Sequence, residues 1–269
     1  MILVIDDYSH VTDPAWLLER RLFVAEGRLV VRRLIEAGTF PVRSILLTPA
    51  ARAALADLLD SRKLTVHVCD QKTLNGIAGF NFHRGCLALA ERPATNTSVN
   101  QFAGARRLLA LEGVSNPDNV GGLFRVAAAF GVTGVLLDQA SGDPFYRKAI
   151  RTSMGASLQV PFARLDPWQP TLRSLSGTGS CIVALTPDRS ALPLARYVTE
   201  SPPERRLILM VGAEGPGLSA ASLDAADTRV RIQIAPHVDS LNVVVAAGIA
   251  LAQLDSVALN ERSANGRWP

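Results

Sequence analysis

The 269-residue chain is 48% hydrophobic and 19% charged, too apolar for a disordered segment and long enough for one large domain or two modest ones. Its formal charge of +4 fits an anionic partner but does not require one. Cys69, Cys86 and Cys181 lie far apart in apolar runs and read as buried free thiols of a reducing compartment; with four histidines they form no zinc spacing, so no metal is expected.

The opening MILVIDDYSH has neither a basic n-region nor a long apolar h-region, so no signal peptide is expected. The most apolar stretch, Asn242 to Leu254, is too short to span a bilayer. A cytoplasmic protein without a membrane partner follows.

In chain order, apolar runs at Ile2–Ile5, Val42–Leu47, Leu64–Cys69 and Gly85–Ala90 read as strands. They alternate with helical patterns at Arg28–Ala37 and Ala50–Ser61, which makes residues 1–92 a small α/β domain. A polar stretch rich in Thr, Asn, Ala and Pro follows, and residues 93–104 read as a linker. Residues 105–269 alternate more strongly. Leu108–Leu111, Val135–Leu137, Cys181–Leu185, Leu207–Val211 and Val230–Ile234 read as buried strands, with helices over Val120–Phe130, Pro144–Thr152 and Leu241–Leu254. Continuous apolar strands between helices predict a mostly parallel sheet with helices on both faces. No internal repeat is present.

Three strand-to-helix junctions in this second part carry polar residues. In the first, Asn119 stands where a helix N-cap belongs, followed by Gly121, Gly122 and Arg125. Arg125 is the only charge between Asn119 and Leu137; it either meets an anion in a cleft or snorkels at the core edge. The two glycines lower helix propensity by about 1 kcal/mol each and suggest a close approach to the backbone. The second junction, Gly212 to Leu218, is a G-x-x-G-x-G loop centred on Glu214. It is neither a dinucleotide fingerprint nor a phosphate-binding loop for a nucleoside triphosphate. In the third, Ser240-Leu241-Asn242 opens a very apolar helix, and either polar residue also suits a plain cap. Open parallel sheets bind ligands at the carboxyl ends of their strands, where all three junctions lie.

The ordered set Asn119-x-Gly121-x-x-x-Arg125, Gly212-x-Glu214-Gly215-x-Gly217-Leu218 and Ser240-Leu241-Asn242-Val243 resembles the three signature motifs of the SpoU-type (TrmH-like) RNA 2′-O-methyltransferases of the SPOUT class. Phe23–Gly27 and His83–Ala88 resemble that family's N-terminal substrate-binding domain, and Arg151–Ala156 its R-x-S-x-G-A segment. The third motif departs from the family: Ile232-Gln233-Ile234 replaces the usual Ile-Pro-Met, and Pro236 and His237 enter the loop.

The resemblance implies a C-terminal deep trefoil knot, a homodimer formed through the catalytic domain, S-adenosylmethionine as cofactor and rRNA or tRNA as partner. It implies cofactor contacts at Thr186, Gly212, Ile232 and Leu241, and a catalytic set of Arg125, Asn119, Glu214, Ser240 and Asn242. Arginine stays protonated, so Arg125 suits a clamp on phosphate and hydroxyl at least as well as a base. The basic residues Arg20, Arg21, Arg28, Arg32, Arg33, Arg84, Arg147 and Arg151 are the expected RNA contacts; on charge alone they suit solvated helix faces equally. A non-catalytic RNA-binding protein keeping this fold is the alternative. A nucleotide-dependent oxidoreductase is disfavoured by the lack of an early G-x-G-x-x-G.

Overall fold

The computed structural model describes residues 6–93, 99–177, 179–200 and 206–264, with side chains as far as residue 254. The strand expected at Ile2–Ile5 and residues 94–98 of the expected linker lie outside the described residues. By internal packing the chain divides into two units, Met1–Thr95 with Asp143–Gln159, and Asn96–Gly142 with Val160–Pro269.

The first unit is built on β1 (Leu22–Glu26), β2 (Val42–Leu47), β3 (Val66–Val68) and β4 (Cys86–Glu91), in the order β1-β4-β2-β3. Strand β4 runs antiparallel to β1 and β2, and β2 runs parallel to β3, so β1, β2 and β3 point the same way. All five residues of β1 are buried. Helix Arg28–Ala37 buries Val30, Val31, Leu34 and Ile35, a helical stripe, and stops at Gly38 in the left-handed region. The helix expected over Ala50–Ser61 is two short helices, Pro49–Ala54 and Ala56–Leu59, broken where Leu55 leaves helical geometry and sinks into the core.

The segment Asp143–Gln159 joins this unit through helix Arg147–Thr152, which packs on β1. Phe145 stacks on Phe23 with ring centroids 5.1 Å apart. The helix expected from Pro144 starts at Arg147 because Tyr146 is extended and the Asp143 carboxylate accepts from the Phe145 N–H at 2.9 Å.

The second unit carries β5 (Arg107–Glu112), β6 (Gly134–Leu137), β7 (Phe162–Arg164), β8 (Ser180–Leu185), β9 (Leu192–Pro193), β10 (Arg206–Gly212) and β11 (Thr228–Arg231). Their order is β7-β6-β5-β10-β8-β11-β9, and every pairing is parallel. Parallel strands flanked by helices are buried on both faces, which is why β5, β6, β8 and β10 are continuous apolar runs in the sequence. Leu108, Leu136, Ile182, Ile208 and Met210 form the core with Trp168. Strand β11 ends at Arg231, three residues before the expected Ile234, and the chain turns out of the sheet there. With all strands parallel, their carboxyl ends share one edge, and the site is built on it.

Candidate functional site

Helix Pro117–Ala129 follows β5, and its N-cap is Asn116, whose side chain accepts from the Asp118 N–H at 2.8 Å. Asn119 is therefore not the cap. Proline fits the first helical position, so Pro117 starts the helix three residues early and carries Asn119 inward, where it is buried. Gly122 faces the C-terminal helix Val243–Ala264, and a Cβ on it would lie 2.7 Å from Cγ2 of Val244. The close approach signalled at Gly122 is thus made by the C-terminal helix.

The glycine loop folds back on itself. The Gly217 N–H donates to the Ala213 carbonyl at 3.0 Å, and Gly215 and Gly217 take φ of 87° and 70°. A Cβ on Gly212 would lie 2.3 Å from the Gly217 carbonyl carbon, so only glycine lets the loop close. Its far end is tied to β5. The Glu112 carboxylate accepts from the Ser219 N–H at 2.9 Å, the Ser219 hydroxyl at 2.8 Å and the Ser222 hydroxyl at 2.6 Å. Ser222 in turn receives the Trp168 indole N–H at 3.1 Å.

Asn242 ties the three junctions together. Its Oδ1 accepts from the Val244 N–H at 2.9 Å, capping the C-terminal helix. Its Nδ2 donates to Asn119 Oδ1 at 3.1 Å and to Glu214 Oε1 at 2.7 Å. Residues of all three motifs thus meet on one amide.

Beside this cluster lies a cleft of about 640 Å³, within the usual range for small-molecule sites. The ends of β8 and β10, the residues after β11 and the start of the C-terminal helix line it. Thr186, Gly212, Ile232 and Leu241 all face it, as do Glu214, Ser240 and Asn242. The early end of β11 has a use here, because Ile232 and Ile234 turn into the cleft wall. The altered third loop is held by Val238 N–H to the Ala235 carbonyl at 3.0 Å and by Arg189 donating to the Pro236 carbonyl at 3.0 Å. Asp188 also lines the cleft. The Ser190 backbone N–H, 2.8 Å away, holds its carboxyl below the usual carboxylate range.

Arg125 is exposed, one turn beyond Gly122, and among the described residues it has no ion pair. Its exposure spares the charge the cost of burial in an apolar helix. Glu112 and Asp188 were missed in the sequence; Glu112 directly follows an apolar run, a place where a charge signals a strand end at a site.

The basic residues of the first unit fall into two groups. Arg32 forms a two-pronged pair with Asp57 at 2.7 and 2.9 Å. Arg33 donates to the Met154 carbonyl at 2.6 Å. Arg147 and Arg151 face the buried Glu26 at 3.2 and 3.8 Å. These four are engaged within the unit. Arg20 lies over the Trp16 ring and beside Glu19, whereas Arg21, Arg28 and Arg84 are exposed. Cys86 and Cys181 are buried, Cys69 half-buried, and none of the three is in a disulfide. Among the described residues no cluster of His, Cys, Asp and Glu is placed to hold a metal, and no helix is long and apolar enough to cross a membrane.

A parallel α/β sheet with a ligand cleft at its carboxyl edge, closed by three polar junctions, defines a ligand-binding domain of the enzyme type. Residues 106–252 match the SpoU rRNA Methylase family, and the chain belongs to that family. It is 38% identical over 231 residues to an uncharacterized tRNA/rRNA methyltransferase of Mycobacterium tuberculosis, covering 86% of this chain and 80% of that protein. It is 32% identical over 186 residues to the 23S rRNA (guanosine-2′-O-)-methyltransferase RlmB of Ralstonia nicotianae, covering 68% of this chain and 73% of that one. In fold it is similar to an AdoMet-bound rRNA methyltransferase from Sinorhizobium meliloti, with a TM-score of 0.78, 23% identity and 94% of each chain covered.

Proposed function

We propose that the protein transfers the methyl group of S-adenosylmethionine to a ribose 2′-hydroxyl of rRNA or tRNA. The observation that carries this reading is the meeting of Asn119, Glu214 and Asn242 beside a cleft whose wall includes Thr186, Gly212, Ile232 and Leu241. The cleft fits the cofactor: it has the right volume, apolar walls at Ile232 and Leu241, and a glycine loop at which main chain can approach a flat ring. When bound, S-adenosylmethionine supplies a methyl group already activated on a sulfonium. The task left to the protein is to position the hydroxyl and help it lose a proton.

Arg125 stays cationic, and its exposed guanidinium is open to an RNA phosphate next to the reacting ribose. We assign it the clamp on phosphate and hydroxyl. Asn119, Glu214, Ser240 and Asn242 hold the loops that orient the ribose, and such positioning supplies several kcal/mol of barrier reduction. The homodimer and the C-terminal knot belong to the same reading. Val245, half exposed on the apolar C-terminal helix, supports a second copy packing there. The division of labour assigns the first unit to RNA and the cleft to the cofactor. Calorimetry of the purified protein with S-adenosylmethionine tests the cleft: saturable one-to-one binding is expected, and its absence with and without RNA would remove the reading.

A further inference from the structure

The cofactor cleft carries charge of one sign. Among the described residues Asp188 and Glu214 line it, and no lysine, arginine or histidine does. Glu214 is held by the Asn242 amide at 2.7 Å, a neutral donor that leaves its charge in place, and it belongs to the cluster that orients the ribose. Asp188 stands outside that cluster, beyond the end of β8, and no step of methyl transfer uses it.

The turn that carries Asp188 holds it firmly. Its N–H donates to the Thr186 hydroxyl at 3.3 Å, its carbonyl accepts from the Ala191 N–H at 3.1 Å, and its carboxylate accepts from the Ser190 N–H at 2.8 Å. Arg189, next in the chain, donates to the Pro236 carbonyl at 3.0 Å and so fastens the turn to the loop after β11. The neighbouring cation Arg229 is paired with Asp224 at 2.7 Å. Among the described residues no cation forms an ion pair with Asp188, and apart from Ser190 nothing donates to its carboxylate. A fixed, ionised carboxylate is thus exposed in the cleft wall. Such a charge contributes most when the ligand carries the opposite one. S-adenosylmethionine does, because its sulfonium and ammonium groups outweigh its one carboxylate.

We propose that Asp188 selects the cation in the cleft, its carboxylate set against the sulfonium or the ammonium group of S-adenosylmethionine. The proposal rests on the cofactor reading above. The test is calorimetry of the full chain with three ligands. S-adenosylmethionine carries both cations, S-adenosylhomocysteine only the ammonium, and 5′-methylthioadenosine neither. Asp188→Asn keeps the size of the side chain and its acceptor for the Ser190 N–H while removing the charge. It should weaken S-adenosylmethionine by about three- to fivefold, the scale of a charge pair open to solvent, and leave 5′-methylthioadenosine unchanged. A loss confined to S-adenosylmethionine assigns the sulfonium; a loss shared by S-adenosylhomocysteine assigns the ammonium. Added salt should weaken S-adenosylmethionine binding more in the unaltered protein than in Asp188→Asn, and Asp188→Glu should retain more of the affinity than Asp188→Asn. Equal weakening of all three ligands would place Asp188 on the adenosine or make it an anchor of the fold, and either overturns the proposal. Unchanged affinity for all three overturns it too and leaves the cofactor reading standing. If the unaltered protein binds none of the three with or without RNA, the methyl-transfer reading itself fails.

Discussion

The amide nitrogen of Asn242 lies 3.1 Å from the side-chain oxygen of Asn119, a hydrogen bond that spans 123 positions of the chain. The same nitrogen reaches Glu214 at 2.7 Å, while the amide oxygen caps the C-terminal helix. Asn242→Asp separates these duties, because aspartate caps as well as asparagine but cannot donate and sets a second carboxylate against Glu214. Methyl transfer should fall by about 10²-fold or more, the scale of a lost positioned group, while the helix cap is kept. Asn242→Ala should lose about 1 kcal/mol of stability besides. Near-normal turnover in Asn242→Asp would show that the bridge does not position the site.

Glu112 holds the glycine loop from outside the cleft. Glu112→Ala strips three donors of their acceptor; it should cost about 1–3 kcal/mol of stability and weaken cofactor binding more than it lowers kcat. Denaturant midpoints and calorimetry check this, and a variant that loses stability but binds cofactor normally would reduce Glu112 to a fold anchor.

Two glycines with different neighbours make a matched pair. Gly212→Ala drives a Cβ into backbone at Gly217, which cannot yield, so cofactor binding should be lost. Gly122→Ala first meets the Val244 side chain, and a shift in helix packing costs about 1–3 kcal/mol while cofactor binding survives. Equal effects of the two on cofactor affinity would contradict the loop geometry.

These contacts explain what the sequence could and could not disclose. Strands β5, β8 and β10 were legible because burial on both faces writes a continuous apolar run. The two-residue β9 and three-residue β7 are too short to leave a period. Strand β1 is as apolar as the others, yet it follows Arg20 and Arg21, whose charges mask its start. Asn119 was identified by residue type, but its place inside the helix depends on Pro117 and Asn116. The Glu112–Ser219 bond crosses 107 positions and has no local signature. Arg125 was singled out by its lone charge, and only the fold shows that the charge faces water.

Thiol reactivity provides a check on burial. Burial pushes the Cys86 thiol up to about 12, and the thiolate is the reactive form. In the native protein near neutral pH, iodoacetamide should modify half-buried Cys69 first, and Cys86 and Cys181 only after denaturation. Mass spectrometry of tryptic fragments reads the order; early labelling of Cys86 would mean that β4 is more open than described.

Arg125→Ala should lower kcat by about 10²-fold or more and leave cofactor affinity and melting temperature unchanged, since the side chain is exposed and has no ion pair among the described residues. Arg125→Lys should rescue poorly, because a compact ammonium lacks the planar two-pronged contact. A loss of melting temperature and cofactor affinity together would make Arg125 structural.

The most direct measurement is the position of the transferred methyl. Purified protein, ribosomal RNA or bulk tRNA and S-adenosylmethionine labelled on its methyl group are incubated, and the RNA is then digested to nucleosides. The expected result is label in a 2′-O-methylated nucleoside, abolished by Asn242→Asp and Arg125→Ala. Label on a base, or no transfer to either RNA by protein that binds the cofactor, would contradict ribose methylation.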